Sequence, residues 1–144
     1  MSRLLAVLLL TVACCAGACR REAAEEPEPA GPLEGRWRVS STDIVEYDRQ
    51  DRVLNTWLNQ INPLSYSYLD FTPTDVVETN VNTAFRTTGP YVRVDNEIRC
   101  SSPMRSYTIT RLTVQHLDLL LRGDYGSAGT ANFRSDFTIH FVRE

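Results

Sequence analysis

The sequence predicts an all-β protein: a small up-and-down antiparallel β-barrel of about eight strands, with one short helix after the first strand. Three observations predict it. From Tyr66 to the C-terminus, short segments alternate apolar and polar residues, the period of a half-buried strand. Turn signals such as Pro73-Thr74-Asp75 and Asp95-Asn96 separate these segments at short intervals. Closing so many short strands into a barrel removes the exposed edges that an open sheet would carry. With 144 residues the chain has room for one such domain.

The first residues read as an export signal. Arg3 supplies a minimal positive start, and the apolar and small-residue run from Leu4 to Ala18 is shorter than the roughly 20 residues of a transmembrane helix. Ala16-Gly17-Ala18-Cys19 looks like a bacterial lipobox, small residues before a cysteine that is diacylated and becomes the new N-terminus. The division expected is therefore a signal peptide over 1–18, a lipidated Cys19 with a tether over 19–33, and a barrel over 34–144. Cys14 after Thr11-Val12-Ala13 is the rival lipid site, and an ordinary cleaved signal or short anchor is the plain alternative. Cleavage before Cys19 leaves Cys100 as the one cysteine of the domain, a small buried hydrophobe with no disulfide partner. Between them, the four Glu and three Pro of residues 20–33 leave nothing to bury, so that segment is expected to stay extended. At about 3.3 Å per residue it reaches at most roughly 45 Å.

Strand one is expected over Arg36–Val45. Val53, Leu54, Trp57, Leu58 and Ile61 then recur at helical spacing, with Asp48 as N-cap and Asn62-Pro63 as the stop, which predicts a helix over 49–61. Strand segments follow at 66–72, 76–79, 83–87, 91–94, 97–100, 107–109, 116–122 and 136–142, and Gly126 and Gly129 mark a loop before the last. Leu69 with Phe71, Leu117 with Leu119, and Phe137 with Ile139 each share a face.

Composition narrows the function. A formal net charge of −3 gives no basic face for nucleic acid, and every cationic side chain is Arg. His116 and Asp118 lie two apart on the polar face of one strand, and His140 points outward from another. Two isolated histidines make no metal set. Neither a nucleophile motif nor a Gly-rich phosphate loop is present. The expectation is a non-enzymatic protein with no cofactor and no metal.

Three stretches carry a family resemblance: Gly35-Arg36-Trp37 opening the first strand, Tyr107-Thr108-Ile109-Thr110-Arg111-Leu112-Thr113 running on to Leu117-Asp118-Leu119, and Phe137-Thr138-Ile139-His140-Phe141-Val142-Arg143 at the end. Together they resemble the lipocalin-like lipoprotein domains of Bacteroidetes-type bacteria, over about 34–144. The resemblance implies a barrel whose base is plugged by a tryptophan and an arginine. An even-stranded up-and-down barrel also brings its last strand beside its first, so Trp37 and Arg143 are expected to meet, with Arg38 and Arg134 as rival partners. Gly35, Trp37 and Arg143 are thus the barrel-closing set.

Two functional readings follow. In the first, the protein sits in the bacterial cell envelope, at its periplasmic or outer-membrane face, lipid-anchored, and binds a small hydrophobic molecule. Leu69, Phe71, Ile98, Ile109, Leu117, Leu119, Phe137 and Ile139 line the lumen, and Trp57, Leu58 and Ile61 of the helix form a lid. In the second, the same side chains fill the interior, and the barrel is a protein-binding or inhibitory module working through its outer surface, with Tyr66, Tyr68 and Tyr125 among the contacts. An eight-stranded barrel is just wide enough for either.

Overall fold

The computed structural model describes residues 29–61, 67–101, 104–125 and 132–144. Nine strands form one antiparallel sheet: β1 (Gly35–Asp48), β2 (Val53–Gln60), β3 (Tyr68–Phe71), β4 (Asp75–Asn80), β5 (Phe85–Val94), β6 (Glu97–Cys100), β7 (Tyr107–Leu112), β8 (His116–Leu121) and β9 (Phe133–Arg143). Their order is β2-β1-β3-β4-β5-β6-β7-β8-β9, and β9 pairs back onto β1 from Trp37 to Asp48. The eight strands β1 and β3–β9 therefore close into a barrel, and β2 is an extra strand.

The extra strand follows from the length of β1. One edge of β1 is covered by β9 throughout. The other is covered by β3 only over Gly35–Arg38, and β2 takes over from Thr42 to Tyr47. Since β8 stops opposite Phe137, the far halves of β1 and β9 run on past the barrel wall with β2 as a three-stranded ribbon.

The helix expected over 49–61 is not formed. Residues 49–52 turn a hairpin and 53–60 are β2, and no helix exists among the described residues. Asp48 does cap backbone N–H groups, but those of a turn: its Oδ1 accepts from Gln50 and Arg52 at 2.8 and 3.0 Å. Extra residues at Leu54 and near Asn59 (φ +52°) reset the strand alternation, which is why the apolar pairs recur every four residues. The segments expected at 83–87 and 91–94 are one strand, β5.

A second correction concerns the tether. Residues 29–33, expected to be extended and free, lie across the barrel base: Leu33 is in the core, Pro29 O accepts from Val114 N, and a Cβ on Gly31 would sit 2.3 Å from Thr113 O. The signal segment 1–18, Cys19, tether residues 20–28, Tyr66 and the loop at 126–131 lie outside the described residues.

Candidate functional site

The base is built from the two chain ends. Trp37 is wholly buried and its Nε1–H donates to Leu33 O at 2.7 Å. The Arg143 guanidinium lies over the indole, 4.1 Å from the ring centroid. The same guanidinium donates to Val114 O, Glu34 O and Pro32 O at 2.7, 2.9 and 2.5 Å. Gly35 has φ +128°, and a Cβ there would meet Arg143 Nη1 at 2.6 Å, so only glycine fits. Gly35, Trp37 and Arg143 are thus brought together. The rival arginines are occupied elsewhere: Arg38 pairs with Glu144, and Arg134 is held between the rings of Tyr47 and Tyr125. Arg134 also reaches Asp51 and Asp136, the latter at 3.0 Å without hydrogen-bond alignment.

The lumen residues converge as one cluster. Leu69, Ile98, Leu117, Leu119 and Ile139 have 0% accessible surface, Phe71 and Ile109 nearly none, and Phe137 packs against them. A void wide enough for a water molecule would leave accessible surface on its walls, so no such void touches those five side chains. Met104, from the loop before β7, enters the interior beside Gly89, where a Cβ would lie 2.9 Å from its Cγ. Above it, the Tyr107 hydroxyl donates to Glu78 Oε1 at 3.0 Å, and burial pushes the Glu78 carboxyl above its ordinary range. Cys100 is half-buried and free, and burial with the nearby Glu78 pushes its thiol up to about 11.

Trp57, Leu58 and Ile61 do not close the barrel. They stand exposed on the ribbon, at 40%, 59% and 95%, together with Val53 and Leu54.

The outer wall holds a cluster that sequence reading missed. His140 on β9 lies between Asp118 on β8 (Nδ1–Oδ1, 2.9 Å) and Asp43 on β1 (Nε2–Oδ2, 3.1 Å). Burial disfavours the charged ring, but the two carboxylates outweigh it and raise the His140 pKa. The ring separates the two carboxylates, so they do not converge on one ion. No group of three or more His, Cys, Asp and Glu residues placed to hold a metal exists among the described residues. Cross-strand pairing of Asp118 with His140 was the available signal, but it needs the register of β8 against β9. A partly open pocket of about 400 Å³ crosses β6–β8, lined by Glu97, Arg99, Ser106, Thr108, Leu120 and Arg122 and reaching the buried Ile98 and Tyr107, of which Ile98 keeps no accessible surface.

This is a closed eight-stranded antiparallel barrel with an added edge strand. No protein-family model, curated protein or solved structure matches the chain.

Proposed function

We propose that the protein is a non-enzymatic binding module, a barrel with a filled core that works through its outer surface. The observation that supports this over a carrier is the zero accessibility of Leu69, Ile98, Leu117, Leu119 and Ile139, the residues a lumenal ligand would have to touch. A ligand site ordinarily needs a few hundred Å³ of concave space, and the pocket of that size opens on the wall across β6–β8, away from most of the lumen cluster. The ribbon instead displays apolar surface: five large hydrophobic side chains from Val53 to Ile61 face water. We further propose anchoring in the bacterial envelope through a lipid on Cys19. Residues 29–33 enter at the base, so such an anchor would leave the ribbon pointing away from the bilayer.

The test has two parts. A fluorescent fatty acid titrated into the protein should show no saturable binding that depends on lumenal residues; one-to-one binding would return the carrier reading. Metabolic labelling with radioactive palmitate should mark the chain and be lost in Cys19→Ser. Label retained in that variant would move the anchor elsewhere.

A further inference from the structure

We propose that two copies of this chain pair edge to edge through β2, around a two-fold axis at Thr56, into one six-stranded sheet. The inference rests on the reading that the outer surface is the working face. β2 pairs with β1 alone, so no described strand covers its other edge.

The main-chain geometry singles out Thr56. Asp48 N donates to Arg52 O, so Asp48 faces β2, and β1 runs without irregularity against β9 from Ser41 to Asp48. Alternation then turns Glu46 and Ile44 toward β2 as well. Their partners Asn55 and Trp57 face β1, and Thr56 between them turns its N–H and C=O to the open edge. A two-fold axis there lets Thr56 exchange both hydrogen bonds with Thr56 of the second copy. It also sets Leu54 opposite Leu58 of the second copy, twice.

Charge favours self-pairing. Val53 to Ile61 carries no charged residue, no proline and no glycine. Natural edge strands are usually blunted by such charges or prolines, and two identical neutral strands meet without repulsion. Leu54, Trp57 and Leu58 are exposed beside that edge, so pairing there brings apolar side chains together as well as main-chain bonds. The irregularities at Leu54 and near Asn59 confine the straight stretch to Asn55–Trp57, and a two-fold pairing covers this edge in both copies at once, so assembly through β2 closes at two.

The experiment places cysteine at Thr56 in the full-length, membrane-carried chain and applies a short bis-maleimide. Thr56→Cys should cross-link to a dimer about tenfold faster than Thr110→Cys, an exposed position on the outer wall, because paired thiols react as one molecule. The unsubstituted chain gives the background from its native cysteines. Thr56→Pro removes only the outward-facing donor. It should halve the sedimenting mass while the β-sheet circular dichroism stays unchanged. Equal cross-linking at 56 and 110, or an unsubstituted chain that sediments as one copy at high micromolar concentration, would overturn the pairing. A monomer that still refuses fatty acid leaves the filled barrel standing, whereas a dimer that binds it in the lumen removes the filled-core reading alone.

Discussion

Arg143 lies flat over the Trp37 indole at 4.1 Å and ties three carbonyls of two other segments to it. One side chain thus joins the end of β9, the turn before β8 and the strap at residues 32–34. Arg143→Met keeps the aliphatic cover but loses the stacking and the charged donors, and should cost about 2–4 kcal/mol. Gly35→Ala should be comparably harmful, because its Cβ collides with Arg143 Nη1 and its φ suits glycine. Thermal unfolding of both variants checks this: each should melt at least about 10 °C lower.

The Thr42 side chain is fully buried and its hydroxyl has no hydrogen-bond partner among the described residues. Thr42→Val keeps the shape and removes the orphaned group, so it should stabilise the barrel by about 1 kcal/mol. Urea unfolding with an unchanged slope would report it.

His140 gives the stability a pH dependence of definite sign. Its pKa is raised in the folded protein, so the stabilisation is fully present below the ordinary value of 6.5 and is lost as pH rises through the higher folded value. The melting temperature should therefore fall as pH rises above the ordinary value of 6.5, by more in the native chain than in His140→Gln. Asp43→Asn should flatten the profile in part, since Asp118 remains.

Cys100 is expected to be inert. With its thiol pushed up to about 11, little thiolate exists at neutral pH, and maleimide should label Cys100 appreciably only after denaturation.

Much of the barrel was legible because β8 and β9 alternate cleanly: Leu117, Leu119 and Phe137, Ile139 all face inward as their spacing requires. The base was legible for a topological reason, since the last strand of a closed even-stranded barrel returns to the first. The ribbon was not. Val53-Leu54 and Trp57-Leu58 repeat at four residues in either a helix or an irregular strand, and Asp48 caps a turn with the same atoms that cap a helix. The uncovered edge of β1 beyond Arg38 decided the matter, and that is a tertiary fact. The docking of residues 29–33 was hidden likewise, because Leu33 finds its site only once Trp37 and Arg143 are assembled. The pairing of His140 with both aspartates depends on the registers of three strands.

The most direct test of the filled core uses Trp37 as its reporter. The chain has two tryptophans, so in Trp57→Phe the buried base residue is the single tryptophan, and excitation at about 295 nm selects it over the tyrosines. A brominated fatty acid, which quenches by contact, should leave that emission unchanged at concentrations that saturate true carriers. Saturable quenching of Trp37, displaced by unbrominated fatty acid, would contradict the filled core and make the barrel a carrier.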